Sequence, residues 1–216
     1  MREVGPPPLQ RAGGGAGAAV MLSCLVLLLA SAVGAMVLGP LSSTPVPQPG
    51  LPGAPAYLAA HVGTVFAAAA SHLVAAAALY VYGAYVPQVV HSLRRTRLAL
   101  LLAVAALVLA ALAGLALAVV APVAGDGVIH LLHTVSWLCA GVVHTGTLGL
   151  YVAWLARSLF WSPGLRTCGA VAGWSGVAGV AVLAFGELSP FATAARVACL
   201  VWLLLAAHQS AFRDPS

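Results

Sequence analysis

Histidine is the side chain of this sequence whose chemistry and placement stand out. The chain has seven histidines among 216 residues, and five lie in two of its apolar segments. These five are His61, His72, His130, His133 and His144. A neutral imidazole can bind a metal through one nitrogen or relay a proton. Because an ionisable group inside a membrane is costly, such residues are candidates for function.

Two pairs of these histidines have the same spacing. His61 precedes His72 by 11 residues, and His133 precedes His144 by 11 residues. On a straight α-helix this separation is three turns plus about 20°, so each pair shares one face at a distance of roughly 16 Å. Counted from the segment boundaries, His72 and His144 fall near the bilayer midplane, and the other two fall near the outer surface. We therefore expect histidines at two matched depths on two parallel helices.

Histidines paired in this way are able to hold a b-type haem or a metal ion. Each imidazole would give one nitrogen to the iron and donate its other N–H to a backbone or hydroxyl oxygen. We predict one central site at His72 and His144, with His61 and His133 as further candidate ligands. Nearby hydroxyls that could orient the rings are those of Thr64, Ser71, Thr134, Ser136, Thr145 and Thr147.

Arg196, in the last apolar segment, has two interpretations. Its guanidinium group could face a haem propionate, or it could form a structural ion pair with Glu187 or Asp126 at the outer surface. An arginine near lipid is costly without a partner, so we expect one of the two.

The arrangement of two helices with two histidines each is similar to that of membrane cytochromes b and of six-helix ferric-reductase-like proteins. The resemblance implies electron transfer across the membrane or to a partner, and it covers only the histidine pattern on two helices. Those families usually place their paired histidines farther apart than the 11 residues found here. The pattern therefore favours one haem, and it identifies no family.

Two other classes of protein fit the same residues. A small transporter could use His72 or His144 as a proton relay, although the chain is short and has few acids. An accessory or scaffold subunit of a membrane complex would carry no cofactor, and its histidines would only hydrogen-bond across helix interfaces.

Other chemistry finds little support in the sequence, which contains no catalytic motif. The cysteines occur singly, without a C-x-x-C pair, which argues against a disulfide framework or a zinc site. They are Cys24, Cys139, Cys168 and Cys199. The absence of lysine excludes a lysine Schiff base. The arginines are scattered and form no basic face for nucleic acid.

The composition indicates that helices in a membrane must position these residues. With 62% hydrophobic and 6% charged residues, the chain cannot cover a water-facing surface. Backbone groups in lipid must bond within their own segment, which predicts an all-α bundle. Six apolar segments are near or above the roughly 20 residues that a span requires. They cover residues 18–38, 56–86, 98–121, 128–156, 168–185 and 191–211.

The arginines predict how these six spans are oriented. Arginine occurs at both chain ends and in alternate loops, as in the group Arg94, Arg95 and Arg97, and it is absent from the loops between. The positive-inside rule therefore predicts a multi-pass protein of the plasma membrane with both termini in the cytoplasm. Residues 1–17 are expected to be a disordered tail, 40–55 a proline-rich outer loop, and 212–216 a short cytoplasmic tail. The first span has an alternative interpretation as a signal peptide cleaved after Ala35.

The fifth segment carries a series of glycines. Gly169, Gly173, Gly176 and Gly179 are three or four residues apart, which places a flat groove along one helix face. We interpret this face as packing within the chain, with a homodimer or a contact to another membrane protein as the alternative.

Overall fold

The computed structural model describes residues 14–38, 47–86, 94–183 and 189–212, and within these ranges the chain is helical and contains no strand. The α-helices are α1 Gly14–Leu38, α2 Ala54–Ala60, α3 Val62–Tyr85, α4 Arg94–Val120, α5 Asp126–Leu138, α6 His144–Leu155, α7 Pro163–Ala178 and α8 Ser189–Phe212. A π-helical segment, Cys139–Val143, joins α5 to α6, and a 3₁₀ segment, Gly179–Leu183, follows α7.

Among the described residues, five helical stretches are long and apolar enough to cross a membrane. They are Gly17–Gly34, Val62–Tyr85, Arg94–Val120, Asp126–Leu155 and Pro190–Ala211. The fifth segment expected from the sequence differs, because its α-helix α7 has only 16 residues. The protein is thus a helical membrane protein, while the sixth span and the cytoplasmic termini stay predictions.

The boundaries of several predicted segments also differ. Helix α1 begins at Gly14, inside the tail expected to be disordered, and the rest of that tail lies outside the described residues. The second span is interrupted at His61, where α2 ends and α3 begins. Of the outer loop, residues 47–53 form turns and 40–46 lie outside the described ranges.

Local sequence explains where α7 begins. Ser162 is the N-cap, and its hydroxyl accepts a hydrogen bond of 3.4 Å from the backbone N–H of Leu165. Pro163 follows in the first turn, where its missing N–H costs nothing.

Neighbouring helices run antiparallel, and glycines mark their closest approaches. Such contacts join Gly17 to Ala211, Gly34 to Ser71, Gly83 to Leu100, Gly114 to Ala69, Gly149 to Gly176, and Gly169 to Trp202. Successive long helices alternate in direction along the bundle. Helix α1 packs against both α3 and α8, which closes the helices into a ring. The start of α1 and the end of α8 therefore lie at the same end of the molecule. We call this the terminal end.

Two apolar clusters divide the bundle along its length. The larger cluster occupies the terminal half and includes Tyr82 and Trp202, both almost fully buried. A smaller cluster around Leu58, Leu117 and Ile129 closes the opposite end. The residues that could do chemistry lie between these clusters.

Candidate functional site

A cavity of about 520 Å³ lies inside the bundle, between the two apolar clusters. Helices α1, α3, α4, α5 and α8 and the π segment all contribute to its wall. Most of the wall is apolar, and three ionisable side chains reach it, those of His72, His133 and Arg196. A mostly apolar cavity with a few converging polar groups is typical of a small-molecule site.

His72 reaches the cavity from the middle of α3 and is only 8% exposed. Its Nδ1 is buried and has no hydrogen-bond partner among the described residues. The preceding Ser71 donates back to the carbonyl of Ala68 at 2.7 Å, so that hydroxyl does not orient the His72 ring. The imidazole is thus held by packing alone.

His133 reaches the same cavity from α5 and is 6% exposed. Its Nδ1 is also buried without a partner in the part of the chain that the structure describes. Two unpartnered imidazole nitrogens beside one cavity are unusual, since buried polar groups are normally hydrogen-bonded.

Arg196 reaches the cavity from α8 and is half-buried. Its Nη1 donates a 3.2 Å hydrogen bond to the carbonyl of Ala140 in the π segment. Of the two acids expected as ion-pair partners, Asp126 is exposed in the first turn of α5, and Glu187 lies outside the described residues. The contact seen for the guanidinium group is therefore with a neutral oxygen.

The α-helix expected to join each histidine pair is interrupted in both cases. The π segment lies between His133 and His144, and its wider i→i+5 turns change the direction in which later side chains point. His61 sits at the break between α2 and α3, with φ −120° and ψ 41°. The angle between the two side chains of each pair therefore differs from the roughly 20° of a straight α-helix.

The side chain of His61 makes two contacts with Tyr57 at that break. Its ring stacks on Tyr57, with ring centroids 4.1 Å apart. Its Nδ1 lies 2.9 Å from the carbonyl oxygen of Tyr57, which can only accept, so Nδ1 donates. His61 is outside the cavity wall, and its ring stabilises the junction of the two helices.

His144 is buried in a different place from His72. Its Nδ1 donates a 3.1 Å hydrogen bond to the carbonyl of Ala103 on α4, and the side chain is 1% exposed. The contacts of Gly83 with Leu100 and of Gly114 with Ala69 place Ala103 opposite Tyr80 on α3. The carbonyl that His144 contacts is thus level with Tyr80.

The same register relates His133 to His72. Ser136 donates a 3.0 Å hydrogen bond to the carbonyl of Ala110, which in the same register lies opposite Leu73. His133, three residues before Ser136, is then within about one helical turn of His72. His72 and His133 thus line the same cavity, and the matched depth of His72 and His144 stays a prediction. Because metal–nitrogen bonds are about 2 Å long, the two coordinating nitrogens of imidazoles on one metal must lie within about 4 Å of each other.

The cysteines and other possible ligands add no metal site. Within the described ranges there is no group of three or more His, Cys, Asp or Glu side chains able to hold an ion. Cys24 and Cys199 are buried, and the Cys199 thiol donates to the carbonyl of Ala172 at 3.2 Å. A haem needs only one or two protein ligands, so it does not require such a group of three.

The glycine face of α7 packs inside the chain. Gly173 and Gly176 lie against α6 at Ala153 and Gly149, and Gly169 lies against Trp202 of α8. The groove predicted from the glycine spacing is therefore filled by α6 and α8 of the same chain.

Comparison of the chain with models of protein families, with curated proteins and with solved structures gave no match. The structure thus defines the class, a helical integral membrane protein with a cavity inside its bundle. Its function has to be argued from the site.

Proposed function

We propose that this protein binds a b-type haem in the cavity and transfers electrons in the plasma membrane. His72 and His133 would hold the iron, with His133 in place of the His144 expected from the sequence. Arg196 would bind a propionate of the haem. The observation that carries the proposal is that two imidazole side chains and one guanidinium group line a single, mostly apolar cavity.

The cavity wall suits a porphyrin in several respects. Its volume of about 520 Å³ is within the range of cofactor sites. Apolar side chains such as Leu58, Val65 and Leu117 would contact the ring and exclude water. When bound, the iron would supply one-electron chemistry, and the surrounding polarity would set its potential.

The Nδ1 atoms of His72 and His133 are buried and unpartnered, so the iron would have to bind the other ring nitrogen, Nε2. No hydrogen bond through Nδ1 fixes either ring within the ligand-free chain. His144 has the backbone hydrogen bond expected of a haem ligand but does not line the cavity, so we propose His133 in its place.

An optical spectrum tests the proposal directly. The full chain is expressed with ample haem, purified in detergent and scanned before and after reduction with dithionite. We expect a Soret band that shifts on reduction, and we expect His72→Ala and His133→Ala to reduce or remove it. His144→Ala should keep the band, and His208→Ala at the exposed end of α8 serves as the control.

Two results would contradict the proposal. Wild-type protein that absorbs only in the aromatic ultraviolet band has no haem, and would instead fit an accessory subunit or a small transporter. Loss of the band in His144→Ala, with the band kept in His133→Ala, would reject His133 as the second ligand and restore the pair expected from the sequence.

A further inference from the structure

Arg196 is a charged group well inside a membrane-spanning helix. It is the seventh residue of the apolar stretch Pro190–Ala211, which places its Cα about 9 Å from the start of that stretch. Its side chain is half-buried and lines the cavity. A cation at this position is costly unless anions or backbone carbonyls pair with it, and the one bond to Ala140 leaves most of its donors without such a partner.

The chain offers few anions that could neutralise this charge. It has four acidic residues in total. Asp126 is exposed at the start of α5, and Glu3, Glu187 and Asp214 are outside the described residues. No acidic side chain is present among the described residues of the cavity wall. The cavity thus combines a cation and two imidazoles with an apolar lining.

We infer that the cavity selects an amphipathic carboxylic acid, whose carboxylate binds Arg196 while its apolar part fills the remaining space. A guanidinium group has five donors in a planar fork that matches a carboxylate. The bond to Ala140 uses one of these donors and leaves others for a ligand. The apolar part would lie between α1 and α3, against Leu28 and Val65.

This inference goes beyond the proposed function. The propionates of haem are one source of the carboxylate, and a long-chain fatty acid is another. Both share the chemistry of one acidic end on an apolar body. The two sources are separated by testing each acid against its own neutral ester.

The experiment uses the purified full-length protein, prepared without added haem, at one fixed detergent concentration. One arm titrates haem and haem dimethyl ester and follows absorbance. The other arm titrates cis-parinaric acid and its methyl ester and follows fluorescence. We expect the acid to bind roughly tenfold to a hundredfold more tightly than its ester in at least one arm, as for a charge-assisted hydrogen bond.

Substitutions of Arg196 test whether the preference for the acid depends on its guanidinium group. Arg196→Gln should bind acid and ester equally, and Arg196→Lys should keep part of the preference because it keeps the charge without the fork. Arg157→Gln is the matched control, since Arg157 is exposed beyond the end of α6. Equal binding of acid and ester by the wild type in both arms would overturn the inference, and this comparison needs no variant to fold. A preference that survives in Arg196→Gln would overturn the role of Arg196.

The result of this binding experiment can be distinguished from the result of the haem test. Selective binding of parinaric acid by a protein that shows no Soret band would support this inference and reject the haem. Equal binding of haem and its dimethyl ester, with no selectivity for parinaric acid, would keep the haem and reject this inference.

Discussion

His72, His133 and His144 are all buried, yet only the first two have an unpartnered ring nitrogen. His144 donates its Nδ1 proton to Ala103 and so joins α6 to α4. The same residue type therefore has two physical roles in this bundle. A histidine held by a backbone bond contributes to stability, whereas one left without a partner lowers the stability of the ligand-free protein.

Substitution by leucine should separate these two roles. In protein prepared without haem, His72→Leu removes an unpartnered polar group, and we expect an unchanged or higher thermal midpoint. His144→Leu loses a hydrogen bond and should lower stability by about 1 kcal/mol. Thermal unfolding in detergent, followed by circular dichroism, measures both. A large loss of stability in His72→Leu would show that its ring has a partner after all.

At the scale of the elements, α6 and α7 pack with backbone against backbone. A Cβ atom added at Gly149 would lie 2.5 Å from the carbonyl oxygen of Gly173 and 2.7 Å from the backbone nitrogen of Val177. Neither atom belongs to a flexible side chain, so the helices would have to separate. Small residues that allow such close approach are a principal source of helix association in lipid.

Replacing one glycine by alanine, which adds a single methyl group, tests this packing. Gly149→Ala should destabilise the protein by about 1–3 kcal/mol, the cost of overpacking a tight interface. Gly164→Ala, in the first turn of α7, is the control, because a Cβ atom there meets nothing within 4 Å. A lowered thermal midpoint in Gly149→Ala alone is the expected result. Equal midpoints for the two variants would mean that α6 and α7 pack less closely than described.

The helical segments could be predicted from the sequence, because apolar segments are a local property, and all six expected segments contain helix. The direction of a side chain depends on every residue before it, so the π segment at Cys139–Val143 changes where His144 points relative to His133. That segment contains no proline, and only Gly141 marks it as unusual.

The cavity could not have been predicted from the sequence, because its wall combines residues from both ends of the chain. Ser31 of α1 and Arg196 of α8 meet there only because α1 closes the ring of helices. The assignment of Arg196 as a residue that faces a ligand could be reached from its charge in an apolar segment. Its hydrogen bond to Ala140 required the tertiary structure.

At the scale of the whole molecule, the contact of Gly17 with Ala211 places the two described chain ends together. An even number of crossings is needed for this arrangement, and five helical stretches are long enough to cross alone. Helix α7 spans about 24 Å, and the five residues of the 3₁₀ segment add about 10 Å. Together they match the roughly 30 Å hydrocarbon core, so we expect them to form the sixth crossing.

Cysteine labelling in whole cells tests this crossing. In a background with all four native cysteines replaced by alanine, single cysteines are introduced as Gly125→Cys, Ser162→Cys and Gly186→Cys. With cytoplasmic termini, a membrane-impermeant maleimide should label the first and third in intact cells, and the second only after permeabilisation. Labelling of Ser162→Cys and Gly186→Cys from the same side would mean that α7 does not cross. The bundle would then have five spans, with the two termini on opposite sides of the membrane. Labelling of Ser162→Cys alone in intact cells would keep six spans and reverse the orientation predicted from the arginines.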